Sequence, residues 1–326
     1  MAQARRPYIS VLYDQKEITS AIDPFLLSLS YEDKVTGESD EINLVFEDSD
    51  ALWKGSWYPS KGDTLTVSLG YAGEDILPCG DFEIDEIEAG GPPDTVTIKG
   101  LAAGIKHAVR TRRSAAYEKR TLRQIAQTVA DRHGLALTGS IADVKIEHIS
   151  QLRKTDLGFL FKLANTYGYS FSIRGKQLVF YKNSELLNRE PVLIIKKTQC
   201  QSYLLRDKSQ NVYKAAEVAY HDPQAKELIS FTQPADVVTG DVLKISERCE
   251  SREQAQLKAE AALTTANRRQ VEGNLTLSGE VQLVAGNNIT LEEFGNFDGR
   301  YAIAVSRHTV SRSAGYTTEI EVCKSA

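Results

Sequence analysis

Gly62-Asp-Thr-Leu-Thr-Val67, followed by Gly80-Asp-Phe-Glu-Ile84 and Thr95-Val-Thr-Ile98, has a partner near the other end of the chain. There, Gly286-Asn-Asn-Ile-Thr-Leu291 leads to Gly299-Arg-Tyr-Ala-Ile303 and then to Thr317-Thr-Glu-Ile320. Each copy reads as a turn glycine, an alternating strand, a second glycine before an aromatic-x-Ile strand, and a closing Thr-rich strand. Alternation of apolar and polar residues is the period of a half-buried strand. Matching β-patterns also arise by chance. If the repeat is a duplication, the chain is mainly β, with two similar antiparallel β-barrels.

Within the first copy, Leu65, Val67 and Leu69 alternate with small polar residues. Phe82 and Ile84 alternate with Asp81, Glu83 and Asp85, and the phase slips at Asp85-Glu86 before Ile87, which predicts a β-bulge. Gly90-Gly91-Pro92-Pro93-Asp94 then forces a turn.

Between the repeats, at about 106–188, the pattern changes to that of a small α+β insert. Thr121 and Gln124 fit a capping box ahead of a helical face of Leu122, Ile125, Ala126 and Val129, which Gly134 stops. A second helix starts near Thr155-Asp156, buries Leu157, Leu160, Phe161 and Ala164, and ends at Gly168. A hairpin of 169–173 and 177–181 follows. Residues 1–105 are thus expected to form the first barrel. Residues 189–326 are expected to form the second, with an inserted helix at about 251–269, where Ser251 and Gln254 suggest another capping box and Ala255, Ala259, Ala262 and Ala266 suggest close packing. Whether about 190–205 completes the first barrel or starts the second stays open.

A length of 326 residues allows two or three domains, and a charged share of 25% is ordinary for a globular protein. No apolar stretch approaches the ~20 residues needed to cross a bilayer, and no apolar run follows Arg5 and Arg6 to make a secretion signal. The chain is therefore expected to fold in the cytoplasm, without membrane insertion. Residues 1–105 hold 20 acidic and 7 basic residues, and the remainder 24 and 32, so the net charge of −5 conceals a strong asymmetry. An acidic first third excludes a general nucleic-acid binder. It suits protein–protein stacking or a charged channel wall.

The segments Trp57-Tyr-Pro-Ser-Lys-Gly-Asp63, Leu69-Gly-Tyr71, Gly80-Asp-Phe-Glu-Ile-Asp-Glu-Ile87 and Gly91-Pro-Pro-Asp94 resemble the first barrel of phage late control gene D proteins. Thr155-Asp-Leu-Gly-Phe-Leu-Phe-Lys-Leu-Ala-Asn-Thr-Tyr-Gly168 resembles a helix of those contractile tail hubs and of VgrG proteins of type VI secretion. Leu283-Val-Ala-Gly286, Phe294 to Tyr301, His308 and Tyr316 to Ile320 are similar to the family's closing barrel. The resemblance runs in order along nearly the whole chain. It implies a homotrimeric hub, presenting six similar barrels, that joins a hexameric tail tube protein to a trimeric spike around an axial channel. Tape-measure and baseplate proteins are further implied partners, and DNA passes only if the particle is a phage rather than a tail-like bacteriocin. It also implies a place in the virion tail or tail-like particle, assembled in the bacterial host cytoplasm. The sequence departs from VgrG in having no spike extension after the second barrel, which implies a separate spike protein.

No catalytic, cofactor-binding or metal-ligating set emerges from the residues. The five histidines (His107, His133, His148, His221, His308) lack ligand spacing, and the four cysteines (Cys79, Cys200, Cys249, Cys323) are scattered singly. His308 is expected to be a hydrogen-bonded barrel histidine. Asp81, Glu83 and Asp85 are candidates for lining a channel, against the plainer role of a solvated strand face. Trp53 and Trp57 are read either as subunit-interface anchors or as caps on the barrel core. Arg112 and Arg113, in the basic stretch from Arg110 to Arg123, are expected to pair with the acidic first barrel of a neighbouring copy. The competing reading of another class is a cell-wall-degrading or wall-binding tail-tip protein, which would need paired carboxylates in a cleft.

Overall fold

The computed structural model describes residues 5–35, 39–102, 111–174, 176–210, 212–222, 226–235 and 240–325. The first barrel is built from β1 (Pro7–Tyr13), β2 (Lys16–Glu17), β3 (Leu26–Lys34), β4 (Glu41–Glu47), β5 (Thr64–Tyr71), β6 (Ile76–Gly90) and β7 (Thr95–Ala102), with a single helical turn, α1 (Thr19–Ile22), beside β1. Strict alternation puts Leu65, Val67 and Leu69 of β5 and Phe82 and Ile84 of β6 into one core with Leu29, Leu44 and Phe46. Fully burying a side chain of this size stabilises by about 1.5–3 kcal/mol.

The insert contributes β8 (Arg112–Thr121), α2 (Leu122–Arg132), β9 (Ala136–Thr138), β10 (Lys145–Thr155), α3 (Asp156–Thr166), β11 (Tyr169–Arg174), β12 (Gln177–Lys182) and α4 (Asn183–Leu187). The capping box of α2 is present: the Gln124 amide donates to Thr121 Oγ1 at 3.2 Å, and the Thr121 amide to Gln124 Oε1 at 3.0 Å. Thr155 caps α3 as expected. Leu122, Ile125, Ala126 and Val129 share a core with Leu157, Leu160, Phe171 and Phe180. The expected boundary at 105–106, like His107 and Arg110, lies outside the described residues.

The chain then enters β13 (Leu193–Lys196), which pairs in parallel with β19 (Asn288–Glu292), and β14 (Cys200–Asp207), which pairs with β18 (Val271–Ser278). Residues 193–207 therefore belong to the second barrel, which β20 (Gly299–Ser311) and β21 (Gly315–Lys324) complete. The insertion inside this barrel is larger than a helix. Between β14 and β18 the chain forms a three-stranded sheet, β15 (Tyr213–Asp222), β16 (Glu227–Pro234) and β17 (Asp241–Ile245), covered by α5 (Arg252–Asn267). Ala255 and Ala259 of α5 are buried against this sheet. Only half of the second capping box forms. Ser251 accepts from the Gln254 amide, but the Gln254 side chain accepts from the Glu250 amide and donates to Lys145 O, tying α5 to the insert.

The internal repeat is real at the level of single hydrogen bonds. The Gly62 amide donates to Ile84 O and the Ile84 amide to Asp63 O, both at 2.9 Å. In the second barrel, the Gly286 amide donates to Ile303 O and the Ile303 amide to Asn287 O, both again at 2.9 Å. Gly62 and Gly286 hold φ of +101° and +89°, a region open to glycine at no steric cost. Leu65 faces Phe82 in one copy and Ile289 faces Tyr301 in the other. The bulge expected at Asp85-Glu86 is present between Ile84 and Glu86, and its counterpart lies between Ile303 and Val305. Beyond it, Ile87 faces Ile98, and Ser306 faces Ile320. β3 and β14 carry matching bulges too, Leu26/Ser28 and Cys200/Ser202.

The two barrels are parts of one hydrogen-bonded system. The order β14-β18-β21-β20-β3-β4-β7-β6-β5-β1-β2 runs through both, joined where Val305–Ser311 of β20 pairs with Lys34–Ser28 of β3. Gly279 sits beside this joint, where a Cβ would lie 2.0 Å from Tyr316 Cδ1. Gly279→Ala must displace that ring, and the expected loss is about 1–3 kcal/mol, read by denaturant unfolding.

Candidate functional site: the barrel junction and the exposed strand edges

The β20–β3 joint is the most highly organised polar site of the two barrels. Tyr31 and His308 face each other across it, and their rings stack at 6.2 Å. His308 is fully buried. Its Nε2 lies 3.0 Å from Leu283 O, which only accepts, so Nε2 carries the proton. Nδ1 then accepts, from Tyr316 Oη at 2.8 Å or Thr318 Oγ1 at 3.2 Å. Ser306 Oγ adds a contact at 3.0 Å to Nε2. Burial pushes the imidazole pKa down to about 4. At the rim, Arg307 Nε donates to Glu32 Oε2 at 2.9 Å. Burial alone would raise the Glu32 pKa, but hydrogen bonds from Lys34 and Arg307 outweigh it and hold the carboxyl below its usual range.

The residues singled out from sequence fall in three places. Asp81 and Glu83 lie on the face of β6 opposite to Phe82 and Ile84, outside the barrel core, and Asp85 is the bulged residue. Asp81 accepts from Thr66 Oγ1 at 2.6 Å. The two tryptophans divide their roles. Trp53 is 5% exposed and stacks on Phe46 at 3.8 Å, with its amide bound by the buried Asp48 at 2.8 Å, so it caps the core rather than offering surface. Trp57 is 39% exposed, edge-on to both Trp53 and Phe25, at the mouth of an apolar cavity of about 300 Å³. Arg112 is exposed, while Arg113 is turned inward, its Nε 3.5 Å from Asp156 Oδ2. Asp156 also binds Arg132 at 2.7 Å, His133 at 2.8 Å and Gln151 at 2.9 Å. Its burial would raise the pKa, but bonds from Gln151, Arg132 and His133 outweigh that and lower it. This closed network holds α3 to β10 and α2.

Two features escaped the sequence reading. One is the Asp156 network, whose members are spread from 113 to 156. The other is β14, an edge strand on which Tyr203 is 44% and Leu204 51% exposed. The run Tyr203-Leu204-Leu205 breaks strand alternation, and that was the available signal. Among the described residues no three or more His, Cys, Asp or Glu side chains gather as a metal site, and no helix is long and apolar enough to cross a membrane.

The fold defines the class: a β-rich protein with paired barrels, an architecture it shares with phage-tail proteins of known structure. The chain aligns over 98% of its length with the 43 kDa tail protein of prophage MuSo2 from Shewanella oneidensis, covering 98% of that chain at a TM-score of 0.74 and 15% identity. An E. coli protein, c3393, described as a component of the type VI secretion system, aligns over 93% of this chain and 74% of its own at a TM-score of 0.57 and 12% identity. In sequence, the chain is 32% identical over 180 residues to the probable baseplate hub protein of Escherichia phage 186, a match covering 54% of this chain and 45% of that one. The resemblance read from the sequence is supported to this extent: the chain is similar to the probable baseplate hub proteins of Escherichia phages 186 and P2. It spans about half the length of the curated relatives it matches. No protein-family model matches it.

The junction histidine gives a pH signature. The unfolded chain protonates His308 below its ordinary value of 6.5, whereas the folded chain does so only below about 4. Between these limits the unfolded state binds more protons, so stability falls as pH falls through that window and this residue costs nothing more below it. Unfolding curves should show wild type losing about 3 kcal/mol more than His308→Gln between the two pH values.

Proposed function

We propose that this chain is a non-enzymatic structural hub at the centre of a contractile tail, acting as a ring of three copies. The ring joins the hexameric inner tube to a separate trimeric spike and surrounds the axial channel. The observation that carries this reading is the duplication, down to register, bulges and turn hydrogen bonds. Two equivalent barrels per chain give three copies six equivalent positions, which is the symmetry match a six-fold tube and a three-fold spike require. In that ring Trp57 and Arg112 are the more exposed of the interface candidates, since Trp53 stacks on Phe46 in the core and Arg113 lies against Asp156.

The mass of the purified chain by light scattering tests the ring. Three copies of 36.1 kDa give about 108 kDa. A species that stays at one chain mass even with its spike protein present would overturn the ring. Loss of turbidity in a peptidoglycan suspension by the same monomer would favour the wall-degrading alternative instead.

Asp81, Glu83 and Asp85 carry a second part of the proposal: they face the channel and repel passing polyanions or acidic protein. The triple change Asp81→Asn, Glu83→Gln, Asp85→Asn is expected to slow ejection with particle assembly unaltered. Ejection at the wild-type rate would place these carboxylates away from the channel.

A further inference from the structure

β20 is longer than β19 can cover. β19 pairs only with Gly299–Ala302, and past the bulge the same edge of β20 is taken by β3. β6 has the same overhang. β5 pairs with it only up to Glu83, and among the described residues no strand pairs with Glu86–Gly90 on that side. The repeat also supplies the counterpart of β3, which is β14. Both strands pair antiparallel with an inner strand (β4 or β18), and Glu32 faces Glu41 as Arg206 faces Glu272. On β3 the core-facing Leu29 is 0% exposed, because β20 lies beside it. Its counterpart Tyr203 is 44% exposed, and among the described residues β14 has only β18 as a strand neighbour.

We propose that β14 of one copy pairs antiparallel with the overhang of β6 in the next copy, repeating between chains the β20–β3 joint made within each chain. This rests on the ring reading above and names the surface that closes the ring.

The register of the internal joint fixes the new one. Arg307 faces Glu32 and Val305 faces Lys34. Counted from Gly299 and Gly80, Arg307 corresponds to Glu88 and Val305 to Glu86. Glu32 corresponds to Arg206, and Lys34 to Lys208. Transferred to the new joint, Glu88 faces Arg206 and Glu86 faces Lys208, two opposite-charge pairs directly across a strand boundary. Glu86 and Glu88 are 54% and 52% exposed and share Lys99 Nζ at 3.2 and 2.8 Å, Lys208 is bound to Glu272, and Arg206 is exposed, so the pairs across the new joint extend charge networks that reach the surface.

The charges also exclude the wrong assembly. The internal joint has arginine on the overhang and glutamate on the edge strand; the joint between copies has them the other way round. An overhang of β20 meeting β14 would set Arg307 against Arg206, and β6 meeting β3 would set Glu88 against Glu32. Like charges directly opposite are destabilising. Each copy therefore keeps its own β20–β3 joint and offers β6 and β14 to neighbours, a head-to-tail contact that generates a ring.

Light scattering across a dilution series tests the pairing in the full chain. Arg206→Glu and Glu88→Arg, each alone, are expected to move dissociation to a protein concentration at least about tenfold higher. The double variant, with both charges exchanged, is expected to return it to the wild-type value. A chain carrying Glu88→Cys and Arg206→Cys should form covalent multimers on oxidation that vanish on reduction. A wild-type ring that dissociates at the same concentration in both single variants, with no such cross-link, overturns the edge pairing and leaves the ring standing. A wild-type chain that stays monomeric overturns both.

Discussion

The length of one strand constrains most of this molecule. β20 runs from Gly299 to Ser311, while β19 covers only its first residues. A strand edge buried without hydrogen-bond partners is costly, so the second half of β20 needs a neighbour, and β3 supplies it across more than 270 residues of sequence. That pairing turns two barrels into one continuous sheet. It also creates an interior where Tyr31, Ser306, His308, Tyr316 and Thr318 are buried together. A charged imidazole there would have no counter-ion among its hydrogen-bond partners, so His308 stays neutral and every polar atom around it is used.

The same economy of polar groups governs the rest. Asp48 is buried at the mouth of the first barrel, where it accepts from the Trp53 amide and lets that ring stack on Phe46. Asp156, nearly inaccessible at the start of α3, gathers two arginines, a histidine and a glutamine. Residues that look available for recognition in a linear reading are occupied in holding elements together. Among the described residues, exposed apolar side chains such as Trp57, Tyr203 and Leu204 stand on a surface that is otherwise largely charged.

The barrels share register and bulge positions, so the two copies of the repeat present equivalent backbone. The inserted units, by contrast, are attached through side chains such as Gln254, which bonds across to Lys145 O.

Local patterns were legible in the sequence because they are written in neighbouring residues. The alternation of Leu65, Val67 and Leu69, the phase slip at Asp85, the Thr121–Gln124 box and the turn glycines each specify their own stretch of backbone. The sequence by itself thus determined β-rich ends around an α+β insert and the hydrogen-bonded barrel setting of His308, while the duplication became certain only when the two copies showed the same register and bulges. Tertiary structure alone decided that 193–207 belongs to the second barrel, since a short apolar strand fits either until its partner is known. It decided that Trp53 is core while Trp57 is surface, because Asp48 holds the Trp53 amide and the ring stacks on Phe46, whereas Trp57 meets Trp53 and Phe25 only edge-on. It also decided that Arg113 faces inward, because Asp156 reaches it only once two strands and two helices have packed. The physical reason is common to all three: a side chain's role follows from its partner, and these partners are distant in the chain.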